Sequence, residues 1–119
     1  MTSRSVRQFS PGDEGPSVRS EIELVLFWAA WCRSATAASD AFVREANVSP
    51  YARWGLCDYE LHRERCISWL QIRSIPTLVV FVAGAEFMRH SGGLHRRDFR
   101  RIYQDLVALG SRPTERKRP

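Results

Sequence analysis

Two largely apolar runs dominate the hydrophobic pattern of this chain. Ile22–Trp28 is apolar except at Glu23, and Thr77–Val82 begins directly after Pro76. Both runs are rich in the β-branched and aromatic residues that strands favour. The first run is typical of a central strand buried on both faces of a sheet. The second run is the clearest strand in the chain.

Three segments show helical patterns instead. Residues 33–46 are rich in alanine and contain neither glycine nor proline, which favours a helix. Over His62–Leu70 a short helix is predicted, whose inward face carries Cys66, Ile67 and Leu70. From about Arg96 a last helix is predicted, with Gly110 well placed to end it. Its apolar stripe consists of Phe99, Ile102, Tyr103, Leu106 and Leu109.

Weaker strand signals complete the pattern. Trp54–Asp58 can form a strand, and Glu86–His90 can return antiparallel after a turn at Ala83–Gly84. A short strand is also indicated around Val6–Phe9. Strands and helices alternate before a closing hairpin and helix. This order predicts an α/β fold with a mixed central sheet of four to five strands and helices on both faces.

Length and composition fit one globular domain. We assign the 119 residues to an N-terminal loop or short strand over 1–20, a domain over 21–110 and a basic, disordered tail over 111–119. No run of about 18 apolar residues occurs, so no membrane span is expected. The first residues lack the apolar region of a secretory signal. We therefore expect a cytoplasmic protein.

The charge is positive, with 17 arginines and one lysine against 13 acidic residues. Part of this excess lies in the tail over 111–119, and a basic tail can attract nucleic acid. More often such a tail is a solvated end. No aromatic residues interleave with its charges to stack on bases. We therefore do not expect nucleic-acid binding.

The cysteines and histidines do not indicate a metal centre or a disulfide framework. The chain has three cysteines, an odd number, and their spacing suits neither. His62, His90 and His95 also lack metal-ligand spacing. We expect reduced thiols, with Cys57 and Cys66 as small buried core residues. We expect no metal, no cofactor and a monomer.

Cys32 has a different setting from the other two cysteines. It lies between a predicted buried strand and the first turn of a helix. There the unpaired N–H groups and the helix dipole favour a thiolate. The guanidinium of Arg33 acts in the same direction, and Ser34 offers a hydroxyl donor. Since the carboxyl end of a strand exposes its residues at the rim of the sheet, Cys32 is the candidate nucleophile.

Several segments around Cys32, taken in order, resemble the thioredoxin family. Phe27–Cys32 is similar to the strand and loop that lead into the family's Cys-X-X-Cys motif. Arg73–Phe81 is similar to the segment that carries its cis-proline, and Ala83–Glu86 to its hairpin turn. Gly92-Gly93 with the helix that follows resembles its end. The resemblance covers roughly residues 20–110 and implies a thioredoxin-like fold.

The resemblance also implies roles for individual residues. Cys32 would be the attacking cysteine and Pro76 the cis-proline packed beside it. Ile75 would offer backbone hydrogen bonds to an extended substrate segment. The implied substrate groove consists of Trp31, Arg33, Ser34, Ile75, Pro76, Thr77 and Gly92.

The chain departs from the family at the second cysteine of the motif. Ala35 stands in that place, so the motif is Cys-Arg-Ser-Ala. Leu26 replaces the family's buried carboxylate, and Asp40 replaces a helix-kinking proline. Disulfide reduction proceeds through a mixed disulfide that a second thiol must cleave. Cys32 can therefore take the first step, whereas the second step needs an outside thiol.

Two origins of Ala35 remain open at this point. Either Ala35 is native, and the natural motif has a single cysteine, or it was engineered into a Cys-Arg-Ser-Cys oxidoreductase to trap a mixed disulfide. Leu26 favours the native account, because a trapping experiment would not alter that position.

Two functions follow from these observations. In the first, the protein exchanges thiols and disulfides, and Cys32 forms a mixed disulfide with a protein disulfide, a thiol partner or glutathione. If Ala35 is engineered and the natural sequence has a cysteine at position 35, the natural protein would be a protein-disulfide oxidoreductase. In the alternative, the chain is a redox-inactive thioredoxin-fold module that binds a peptide or protein in the same groove.

Overall fold

The computed structural model describes residues 5–11 and 22–110. The predicted tail over 111–119 and much of the predicted N-terminal segment lie outside the described residues. In chain order the elements are β1 (Val6–Gln8), β2 (Ile22–Trp28), α1 (Arg33–Ala46), β3 (Arg53–Asp58), α2 (Arg63–Leu70), β4 (Thr77–Val82), β5 (Ala85–Ser91) and α3 (Arg96–Gly110). The elements predicted from the pattern are all present, with small differences at their ends.

The strands form one five-stranded sheet in the order β1-β3-β2-β4-β5. β3 runs parallel to β1 and β2, whereas β4 runs antiparallel to β2 and β5. β2 is therefore the central strand, and Val25 lies between Gly55 of β3 and Val79 of β4. The predicted mixed sheet is confirmed.

Alternate residues of β2 face two separate cores. Leu24 and Leu26 point to the face covered by α1 and α3, and Val25 and Phe27 point to the face covered by α2. All four of these side chains are fully buried. These side chains of β2, which point to either face of the sheet, are apolar because helices cover both faces. The expectation of helices on both faces is confirmed.

The larger core is centred on Phe42 of α1. Its ring lies 5.1 Å from Trp54 of β3 and 5.2 Å from Phe99 of α3, both in edge-to-face geometry. Such aromatic pairs stabilise a core beyond the area that they bury. Phe42 therefore joins two helices to the sheet.

Two details of the helical faces were predicted wrongly. Leu109 was predicted on the buried stripe of α3 but is 53% exposed, since it lies in the last turn of the helix, one residue before its end. Ile67 was placed on the inner face of α2 but is 46% exposed. It follows Cys66 directly and therefore points about 100° away from it. In addition, α3 includes Gly110 rather than ending before it.

A buried carboxylate fastens α1 to α3. Glu45 accepts hydrogen bonds from Arg96 at 3.0 Å, Arg100 at 3.3 Å and Ser49 at 2.8 Å. Burial alone would raise the pKa of the Glu45 carboxyl. The hydrogen bonds from Arg96 and Ser49 and the charge of Arg100 outweigh this effect and hold the pKa below its usual value.

We expect Glu45→Gln to lower the free energy of unfolding by about 1–2 kcal/mol at pH 7. A carboxyl with a lowered pKa in the folded state stabilises the fold above its unfolded pKa of about 4.3. That contribution is lost as the pH falls through the folded pKa. Urea unfolding of wild type and of Glu45→Gln should therefore give a difference in the free energy of unfolding that shrinks toward pH 3. A difference that stays constant with pH would contradict this assignment.

Candidate functional site

Cys32 occupies the N-cap of α1, four residues after the end of β2. Its backbone is extended, with φ −108° and ψ 113°. The Cys32 N–H donates to the carbonyl of Ala29 at 3.1 Å. The Cys32 carbonyl accepts from the Thr36 N–H at 3.0 Å and from the Thr36 hydroxyl at 3.1 Å. The turn between strand and helix thus holds the cysteine in place.

The Cys32 sulfur lies among hydrogen-bond donors of the first helical turn. The hydroxyl of Ser34 is 3.5 Å from Sγ. This hydroxyl contact, followed by the Ala35 and Ser34 backbone N–H groups, lowers the pKa of the Cys32 thiol. The sequence had suggested that Arg33 also lowers it. These hydrogen bonds, rather than the guanidinium of Arg33, are the cause.

A groove of about 380 Å³ opens beside the half-buried Cys32. It is lined by Trp31, Cys32, Tyr59, Arg63, Arg73, Ser74 and Ile75. Trp31 is 63% exposed, and its indole N–H donates to Glu60 at 2.8 Å. The Arg63 guanidinium lies over the Tyr59 ring at 5.5 Å. The groove therefore offers aromatic surface and two cationic side chains to a molecule that binds beside the sulfur.

The Ile75–Pro76 peptide bond is cis. Ile75 lines the groove, whereas Pro76 and Thr77 are buried behind it. The Pro76 carbonyl accepts from the Gly92 N–H at 3.0 Å, and the Thr77 hydroxyl donates to the Ser74 carbonyl at 2.7 Å. Gly92 has a φ of +108°, which a side chain would rarely adopt. These contacts connect the groove segment to the end of β5.

The structure brings together only some of the predicted site residues. Trp31, Cys32 and Ile75 meet in the groove, and Ser34 contacts the sulfur. The exposed Arg33 does not line the groove, and neither do Pro76, Thr77 and Gly92. Ala35 and Leu26 are fully buried.

Sequence reasoning missed four groove residues. Arg73 and Ser74 directly precede Ile75, so their place in the cis-proline segment could have indicated them. Tyr59 follows the carboxyl end of β3, at the same edge of the sheet as Cys32. Parallel strands end at one edge, which is a usable signal. Arg63 opens α2, and the sequence contained no signal for it.

Over residues 5–11 and 22–110, no group of three or more His, Cys, Asp or Glu side chains is placed to hold a metal ion. Within the same residues, each helix is too short or too polar to cross a membrane.

Comparison with solved structures shows that this fold is similar to that of thioredoxins. Thioredoxin f from spinach chloroplast (short form) matches with a TM-score of 0.71 and 15% identity, over 89% of this chain and 94% of that chain. A mutant thioredoxin from Halobacterium salinarum matches with a TM-score of 0.70 and 20% identity, over 88% and 94%. Thioredoxin f2, in complex with ferredoxin:thioredoxin reductase, matches with 0.66 and 16%, over 87% and 90%.

No protein-family model matches the sequence, and no curated protein matches it. At these identities the structural matches show the fold, and the predicted thioredoxin-like fold is confirmed.

Proposed function

On this thioredoxin-like fold, we propose that the chain is a thiol–disulfide exchange protein that uses Cys32 as its nucleophile. The observation that carries the proposal is the Cys32 sulfur at the N-cap of α1, with a lowered pKa and an open groove beside it. A lowered pKa increases the fraction of thiolate, which is the attacking species.

The proposed step forms one sulfur–sulfur bond and breaks another. The Cys32 thiolate attacks one sulfur of a partner disulfide, and the other partner sulfur leaves as a thiolate that takes a proton from water. The product is a mixed disulfide on Cys32. Since Ala35 carries no sulfur, an outside thiol such as glutathione must release the partner. The cytoplasm, which keeps thiols reduced, would supply it.

The groove favours a particular kind of partner. Arg63 and Arg73 contribute positive charge beside the sulfur, and Trp31 and Ile75 contribute apolar surface. A disulfide in an extended, acidic protein segment would fit these features, and so would glutathione with its two carboxylates. One of the matched thioredoxins was solved in complex with a protein partner, ferredoxin:thioredoxin reductase. We therefore propose a protein disulfide as the substrate of a monomeric chain.

We expect Cys32 to capture glutathione from glutathione disulfide. Brief incubation should add one group of about 305 Da, located on the tryptic peptide over residues 20–33. The rate should rise with pH and then level off, with a midpoint at lower pH than that of free cysteine, because the thiolate is the species that reacts. Mass spectrometry of acid-quenched samples over pH 5–10 measures both the site and the midpoint.

Two variants serve as controls for this capture. Cys32→Ser should form no adduct on that peptide. Ser34→Ala should still form it, but with the midpoint moved to higher pH, because the main hydrogen bond to the thiolate is gone. Wild-type Cys32 reacting no faster than free cysteine would overturn the proposal.

The alternative is a redox-inactive module that binds a peptide or protein in the same groove. Ala35 and the buried Leu26 favour it, because neither supports turnover. Partner capture by wild type and by Cys32→Ser distinguishes the two functions. Partners retained by Cys32→Ser under reducing conditions would favour non-covalent binding, and partners lost would favour capture by the thiol.

A further inference from the structure

Cys57 and Cys66 form a pair of thiols that the proposed exchange reaction does not use. Cys57 lies near the end of β3 and Cys66 in the middle of α2. Their sulfur atoms are 3.7 Å apart, and both residues are fully buried. Their predicted burial is confirmed, but their contact with each other was not predicted.

The two thiols share one hydrogen bond, in which either sulfur can be the donor. That hydrogen bond, together with burial, raises the pKa of the Cys57 thiol. Either cysteine can therefore be the first of the pair to react.

The packing of α2 allows the sulfur atoms to approach further. A disulfide requires a sulfur separation of about 2.05 Å, so the pair must close by less than about 2 Å. Cys66 is the sole fully buried residue of α2, and the neighbouring Ile67 is exposed. Rotation of the cysteine side chains and a small shift of this weakly anchored helix can supply such a movement. Local opening of a short helix also gives an oxidant access.

We propose that Cys57 and Cys66 are a second redox couple, which oxidises to a disulfide that fastens α2 to β3. With glutathione disulfide as the oxidant, the thiolate of one of the two cysteines attacks one of its sulfurs and releases one glutathione. The other cysteine then attacks the modified cysteine's sulfur and releases a second glutathione. The two protein thiols lose two electrons and two protons, and one glutathione disulfide becomes two glutathione molecules.

The couple lies close to the groove beside Cys32. Tyr59 packs against the cluster that contains Cys57 and Cys66, and it also lines the groove. Arg63, at the start of α2, lines the groove as well. An effect of the disulfide on capture would rest on the proposed function, whereas formation of the disulfide does not depend on Cys32.

The test uses the full chain with Cys32→Ser, which leaves two cysteines. After incubation with glutathione disulfide, with and without about 2 M urea to open α2, the chain is digested by trypsin. Arg63 and Arg65 lie between the two cysteines, so peptides 54–63 and 66–73 can stay together only through a disulfide. We expect this linked pair and a loss of about 2 Da from the intact chain, both reversed by dithiothreitol.

Stability gives a second readout of the same couple. A disulfide closing this short loop should raise the melting temperature by about 10 °C. Cys57→Ser and Cys66→Ser, each combined with Cys32→Ser, should show neither the linked peptides nor the rise. Unlinked peptides in both the native and urea arms would overturn the proposal. Separate glutathione adducts on the two thiols would also overturn it. Neither result would affect capture by Cys32.

Discussion

Replacing Ala35 with cysteine should raise the rate of protein-disulfide reduction by roughly 100-fold over wild type supplied with about 1 mM outside thiol. Ala35 lies one turn after the N-cap of α1, on the same side as Cys32. Its backbone N–H is among the groups that lower the pKa of the Cys32 thiol. A thiol at position 35 would therefore reach the mixed disulfide within the same molecule, and the second step would no longer depend on an outside collision.

Reduction of insulin followed by turbidity, with dithiothreitol to regenerate the protein, measures this gain. Ala38→Cys is the matched control, since Ala38 is also a fully buried alanine of α1 but lies a further turn away. It should leave the rate at the wild-type level. Ala35→Cys combined with Cys32→Ser should also show no gain in the rate of insulin reduction. If Ala35→Cys reduces insulin no faster than Ala38→Cys, the result would argue against descent from an oxidoreductase with a cysteine at position 35. It would favour the redox-inactive binding module.

Replacing Phe42 with alanine should lower the free energy of unfolding by about 3–5 kcal/mol. The Phe42 ring is fully buried and contacts Trp54 and Phe99 at once. Its removal leaves a cavity between α1, α3 and the sheet, and the surrounding aromatic rings cannot close that cavity without leaving their own contacts. Since α1 carries Cys32 at its start, the same change should also loosen the thiol site.

Urea unfolding followed by circular dichroism measures this loss. Phe87→Ala is the matched control, because Phe87 lies on β5 and is 55% exposed. Its removal should change the free energy of unfolding by no more than about 0.5 kcal/mol. Similar losses for the two variants would show that Phe42 does not anchor the core.

The elements of the fold could be predicted because their signals are local. Ile22–Trp28 and Thr77–Val82 are apolar over most of their length, and the alanine-rich stretch after Cys32 has helical propensity throughout. The placement of Cys32 at the start of a helix follows from these neighbours alone. Errors occurred where burial depends on what lies opposite, as for Leu109 and Ile67.

The candidate site was only partly predictable for the same reason. Cys32 and Ser34 lie at a strand-to-helix junction with a clear local pattern, whereas Ile75 was indicated by the resemblance to thioredoxins. Arg63 completes the groove from a different helix, and no local pattern indicates that it lines the same groove as Cys32. Arg33 was also expected to lower the pKa of the Cys32 thiol, but the groups that lower it are the Ser34 hydroxyl and the Ala35 and Ser34 backbone N–H groups.

The sequence by itself determined the order of strands and helices and the junction that holds Cys32, because backbone propensity and hydrophobic period act over a few residues. It also determined that Cys32 has no second thiol at position 35. Only the tertiary structure decided that Cys57 and Cys66 touch, and that Arg63 and Arg73 flank the groove. Those contacts join elements separated along the chain, and their positions are set by how the helices pack on the sheet.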